Sequence, residues 1–134
     1  MKTMSSEAKA LVAGHAEFAE GLVSAVAQIT GQSEQFVTMT NTAMSADQIE
    51  ENMRDVVREH AIHVIFTDLP AGSCTIAARR LLRDDSELTL VTGVNLAALL
   101  HFMSHGEITS HEAAVSAAER AKGSVLVVGT PGGR

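Results

Sequence analysis

Short apolar runs alternate along this chain with segments whose apolar residues recur every three or four positions, and this alternation limits the folds open to it. Residues 10–14, 36–40, 62–67, 88–92 and 124–128 read as strands, the third nearly continuous in apolar character, as in a sheet covered on both faces. Between them, Phe18, Leu22, Val23, Val26 and Ile29 mark a helix over 17–30 that Gly31 stops. Ser45 followed three residues later by Gln48 has the capping-box pattern. It opens a helix to about residue 59, with Ile49, Met53, Val56 and Val57 on one face. Further helices are expected over 73–82, with Ile76, Ala77, Leu81 and Leu82 inward, over 96–103, and over 109–122 behind a second capping box, Thr109 and Glu112. Strands alternating with helices predict a doubly wound α/β domain, a mostly parallel sheet of about five strands with helices on both faces.

Length and composition bound the rest. The 134 residues make one domain, expected over 9–128 with flexible ends at 1–8 and 129–134. Apolar residues are 46% and charged residues 19%, a globular balance. The net charge of −6 argues against a nucleic-acid surface, and any anion site must be local. With four Phe and neither Trp nor Tyr, broad aromatic stacking platforms are not expected. A single cysteine, Cys74, leaves no internal disulfide and suits a reducing cytosol. No apolar run approaches the ~20 residues of a membrane span, and the first residues lack a signal-peptide core, so a cytoplasmic protein is expected.

In doubly wound folds chemistry gathers at the carboxyl ends of the strands. There the sequence puts His15 after the first strand, Asp68 with the loop Leu69-Pro70-Ala71-Gly72-Ser73 after the third, and Asn95 after the fourth. An imidazole with one nitrogen held by a carboxylate keeps its other nitrogen neutral and nucleophilic. Backbone N–H groups around Gly72 and Ser73, opening a helix, would receive an anion, and the Ser73 hydroxyl would add a donor. A nucleophile, an orienting acid and oriented donors are the parts of a phosphoryl-transfer centre.

Three segments carry a resemblance to a known family. Val12-Ala13-Gly14-His15-Ala16-Glu17 resembles the phosphorylation segment of the enzyme IIA proteins of the mannose-family bacterial sugar phosphotransferase system. Asp68-Leu69-Pro70-Ala71-Gly72-Ser73-Cys74 resembles that family's Asp-x-x-Gly-Gly-Ser-Pro loop, and Gly93-Val94-Asn95-Leu96 its Gly-Val-Asn-Leu segment, all in family order. The resemblance implies a phosphotransferase component without a cofactor. His15 would be transiently phosphorylated, taking phosphate from HPr and passing it to a IIB component for sugar uptake. It implies that Asp68 fixes the ring, that Gly72 and Ser73 hold the phosphate, and that Asn95 supports the loop. It also implies a homodimer sharing the last strand, 124–128, and membrane association only through the permease components. Ala16, Ala71, Cys74 and Ala97 stand where the family has Gly, Gly, Pro and Pro. An alanine in place of a positive-φ glycine is strained. These departures motivate an alternative reading, a non-catalytic regulatory or anion-binding module of the same fold. Nucleotide binding is disfavoured, since no Gly-x-Gly-x-x-Gly follows the first strand.

Other candidates are weaker. His60, His63, His101, His105 and His111 suggest metal, and His101 with His105 has i, i+4 spacing, but no metalloprotease Glu follows His101. Solvated or capping roles account for them, and no metal is expected. Cys74 at a helix start has the placement of a reactive thiol, though packing is its ordinary role. The Glu50-Glu51 and Asp84-Asp85 pairs read as solvated charge, and the methionines as packing.

Overall fold

In the computed structural model, which describes residues 9–104 and 108–132, four parallel strands lie side by side in the order β2–β1–β3–β4. They are β1 (Ala10–Gly14), β2 (Phe36–Thr40), β3 (Val64–Thr67) and β4 (Thr89–Val91). The helices are α1 (Phe18–Thr30), α2 (Ala46–His60), α3 (Ser73–Asp84), α4 (Leu96–Met103) and α5 (Ser110–Lys122). The chain is therefore the α/β, doubly wound domain that the alternation predicts. None of these helices is long and apolar enough to cross a membrane.

The two-residue period of the central strands divides the core into two layers. Ala10 and Val12 of β1 and Val64 and Phe66 of β3 pack with Val23 and Val26 of α1, Leu99 and Phe102 of α4 and Ala114 and Ala117 of α5. Leu11, Ala13 and Ile65 face the other way, onto Ile49 and Met53 of α2 and Cys74, Ala78 and Leu81 of α3. In the first layer Phe66 and Phe102 meet edge to face with centroids 5.3 Å apart.

Local chemistry sets the helix ends. Ser45 and Gln48 close a reciprocal capping box on α2, and Thr109 and Glu112 do so on α5. Gly31 ends α1 in the left-handed region at φ 77°, its N–H donating to the Ala27 carbonyl.

Three expectations need correction. Segment 124–128 is not a strand. Val125, Leu126, Val127 and Val128 are 74–97% exposed. A strand needs a neighbouring backbone to satisfy its N–H and C=O groups, and nothing among the described residues of the single chain pairs with this one. The described sheet thus has four strands and not about five. Ile76 faces outward, half exposed, because Ala77, Ala78 and Leu81 occupy the inward face of α3. β3 and β4 are shorter than their apolar runs, since apolarity marks burial and not pairing. The expected flexible end at 1–8, residues 133–134 of the C-terminal end, and His105 lie outside the described residues.

Removing the α2 cap leaves amide donors of its first turn unpaired. Ser45→Ala should lower the unfolding free energy by about 1 kcal/mol with an unchanged denaturant slope, read from the midpoint of urea unfolding.

Candidate functional site

The strand order makes the site. From β1 the chain moves through α1 to β2 on one side, then returns to β3 on the other side of β1. The strand order reverses between β1 and β3, and the crevice outside such a switch point is where open α/β sheets take ligands. Ala13 stands opposite Thr67 in the ladder, so the residues just past these strands are brought together. Those residues include His15 and Asp68.

Asp68 grips His15 twice. Its Oδ2 accepts the His15 backbone N–H at 2.9 Å and lies 2.8 Å from the ring Nδ1. Burial pushes the Asp68 carboxyl up, but the His15 ring and backbone donors and the ring's charge outweigh it and hold the carboxyl below its ordinary value. An ionised carboxylate can only accept, so Nδ1 carries the hydrogen, and in the neutral ring that leaves the lone pair on Nε2. The His15 side chain is 54% exposed and that of Asp68 only 11%. The anchor is shielded while the ring can be reached.

Two glycines permit this approach. A Cβ on Gly14 would stand 2.8 Å from Asp68 Oδ2 and 2.9 Å from the Phe18 ring, so the carboxylate packs where a side chain would be. Gly72 has φ 118°, which L side chains rarely adopt, and a Cβ there would lie 3.5 Å from His15 Cε1. The start of α3 therefore abuts the ring. Gly72 caps α3 with no side-chain hydrogen bond, so the first-turn N–H groups lack a capping side chain. Ser73, half-buried, is the first residue of that turn.

Beneath the loop, the buried Thr75 and Thr67 hydroxyls lie 2.7 Å apart and both reach the Leu69 carbonyl, fixing the path from Asp68 to Gly72. Ala16 sits at φ 48°, so alanine does occupy a left-handed position here. Such a conformation costs an L residue roughly 1–2 kcal/mol. The Thr40 hydroxyl secures it by donating to the Ala16 carbonyl at 2.9 Å. Ala71 is not among the described positive-φ residues, so that replacement carries no such strain.

Asn95 is not gathered into this centre. Its Oδ1 accepts the Ala98 N–H to cap α4, and its Nδ2 donates to Ser124 Oγ at 3.3 Å, tying α4 to the end of α5. Cys74 is buried, and burial together with the Asp68 charge pushes its thiol up to about 11, which leaves no reactive thiolate. His101 Nε2 accepts from Arg120 and His111 Nδ1 meets Thr89 Oγ1 at 2.9 Å. Among the described residues, no three His, Cys, Asp or Glu side chains come together in a metal-binding group.

Sequence reasoning missed the loop after β2. Asn41 donates from Nδ2 to Ser73 Oγ at 2.8 Å, and its backbone N–H donates to the Gly14 carbonyl. A parallel sheet brings all its carboxyl ends to one rim, so Thr40 and Asn41 could have been suspected from their place after the second strand. A hollow of about 450 Å³, with Ala16, Glu17, Glu20, Thr38, Thr40 and Thr42 among its lining residues, opens on this side. A second hollow of about 470 Å³ lies at the opposite end of the sheet, where Arg54 on its wall is already paired with Glu50 and Asp84.

This is a doubly wound α/β domain whose strand-reversal crevice presents a half-exposed, carboxylate-anchored histidine beside an open helix N-terminus. The chain belongs to the EIIA-man family, described as the PTS system fructose IIA component, whose model matches residues 9–123. The mannose/sorbose-specific IIA subunit of the phosphotransferase system from Enterococcus faecalis has a similar structure, with TM-score 0.80 and 19% identity over 93% of this chain and 97% of that one. The PTS IIA protein associated with the fucose utilization operon of Streptococcus pneumoniae is similar at TM-score 0.78 and 22% identity, covering 92% and 96%. A sigma-54 interaction domain protein from Enterococcus faecalis shares the fold at TM-score 0.66 and 16% identity, covering 88% and 92%. At these identities the structural likeness establishes the fold. No curated protein sequence matches the chain.

Two outcomes test this geometry. Gly14→Ala forces a methyl into the Asp68 carboxylate, so stability should fall by about 1–3 kcal/mol. The His15 ring resonances should shift in the same variant as the pair separates. The folded Asp68 pKa lies below the unfolded value, so its contribution is present above about pH 4 and is lost as pH falls through the folded value. The unfolding free energy of the wild type should therefore drop more steeply on acidification below about pH 4 than that of Asp68→Asn. Equal slopes would remove the carboxylate–imidazole anchor.

Proposed function

We propose that this phosphotransferase-system IIA component is a phosphocarrier that takes a phosphoryl group on His15 Nε2 from HPr and yields it to a IIB component. The observation that carries the reading is the 2.8 Å contact between Nδ1 and an ionised Asp68, because it leaves the exposed nitrogen as the nucleophile. In the forward step the Nε2 lone pair forms a bond to phosphorus. The bond from phosphorus to the donor breaks, and its electron pair leaves with the donor. The ring becomes cationic as it is phosphorylated, and Asp68 stabilises that charge while keeping Nδ1–H in place. The uncapped N–H groups of α3 and the Ser73 hydroxyl receive the phosphoryl oxygens. The phosphohistidine is transient, no cofactor takes part, and the protein works in the cytoplasm beside the permease components.

The surroundings suit transfer between proteins. Leu69 is half exposed next to the site, and Pro70 and Ala71 are exposed too, giving a rim of low charge for a docking partner. The bare apolar run 125–128 and the outer edge of β4, which among the described residues pairs only with β3, support a homodimer in which a second copy supplies the strand partner that the described residues of one chain lack. Asn95, which holds Ser124 at the root of that run, supports the loop from there.

Incubation with phosphoenolpyruvate, enzyme I and HPr should add one acid-labile phosphoryl group, detected by intact mass. His15→Ala should abolish the gain and His101→Ala should leave it unchanged. Asp68→Asn should fold and yet slow transfer at least about tenfold, because the ring loses its anionic orienter. An unchanged mass for the wild type would favour a regulatory module that keeps the pocket without the transfer.

A further inference from the structure

The geometry points to Asn41 as a positioning residue that aims the Ser73 hydroxyl at the phosphoryl group. This rests on the phosphoacceptor reading above and names a third strand end in its machinery. A serine hydroxyl has one hydrogen and can also accept. Ser73 Oγ accepts from Asn41 Nδ2 at 2.8 Å, so its own hydrogen is directed away from Asn41 and is left to donate. The loop that carries this hydroxyl abuts the His15 ring, since a Cβ added to Gly72, the residue before Ser73, would meet His15 Cε1 at 3.5 Å. Asn41 is also tied to the other side of the site, where its backbone N–H donates to the carbonyl of Gly14, the residue before His15. One residue thus spans the loop that bears the nucleophile and the loop that bears the anion donors. Thr40, its neighbour, holds the Ala16 carbonyl just beyond His15, so the end of β2 fixes both flanks of the nucleophile.

A neutral side chain that can donate is the chemistry this task needs. An aspartate there could only accept and would draw the Ser73 hydrogen to itself, inverting the bond. An alanine would leave the backbone link to Gly14 in place and free the hydroxyl to rotate.

The test is a double-mutant cycle on the full chain, read by the rate of phosphoryl uptake from phospho-HPr and by the phosphorus resonance of the phosphorylated protein. Ser73→Ala should slow uptake on the order of 10- to 100-fold and Asn41→Ala about tenfold. Asn41→Ala should add nothing in the Ser73→Ala background, and both single variants should move the phosphorus resonance the same way. Asn41→Asp, nearly identical in shape, should lose at least as much as Asn41→Ala. A merely structural asparagine would give additive losses and an unmoved resonance. Uptake at the wild-type rate in Asn41→Asp or Asn41→Ala would overturn the assignment, as would a silent Ser73→Ala. A parallel titration with inorganic phosphate, followed on the His15 ring resonances, separates the two readings. If the wild type takes no phosphoryl group but binds phosphate with the same non-additive dependence on Asn41 and Ser73, the carrier function fails and the positioning role stands. If it neither takes nor binds phosphate, both fall.

Discussion

One carboxylate oxygen holds the centre of this molecule together. Asp68 Oδ2 takes both the backbone N–H and the ring N–H of His15, so a single atom sets the direction of the chain leaving β1 and the tautomer of the imidazole. Without the backbone bond the ring could swing away from the rim. Without the ring bond the proton could sit on either nitrogen, and the tautomer would be undefined. The neighbouring residues serve this contact: Gly14 leaves room for the carboxylate, and Thr67 and Thr75 brace the loop that carries it.

The surrounding structure is packed beneath the centre and open at its rim. β1 and β3 are fully buried between two apolar layers, so the ends from which His15 and Asp68 project are set by a packed core. His15 itself is half exposed, and the first turn of α3 has no side chain capping it. The strained Ala16 shows how much the surrounding bonds determine: its left-handed conformation persists because the Thr40 hydroxyl and the turn from His15 to Phe18 hold it on both sides.

Much of this was legible from the residues in order. The alternation of strand and helix, both capping boxes, the Gly31 stop and the extent of α4 follow from periodicity and local chemistry, which act over a few residues. The pairing of His15 with Asp68 was within reach because both follow apolar strands, and strand ends of a parallel sheet share a rim. The part played by Asn41 was not, since nothing local to Thr40-Asn41-Thr42 shows that Ser73 lies 32 residues along the chain but one hydrogen bond away. Asn95 stands in the segment matching the family, yet its side chain caps a helix, a role that only the direction of α4 makes visible.

The last apolar run marks the division. Val125-Leu126-Val127-Val128 has the composition of a strand, and composition alone fixes that preference for burial and extension. Whether it becomes a strand depends on a backbone partner, which the described residues of the single chain do not supply. The amino-acid order by itself thus determined most of the elements, most of their buried faces and the kinds of chemical group at the rim, because those depend on side-chain type and short-range spacing. Tertiary structure alone decided which groups meet, which nitrogen of His15 faces Asp68 and which hydroxyl Asn41 reaches, because a hydrogen bond forms only between atoms that the whole fold has brought within about 3 Å.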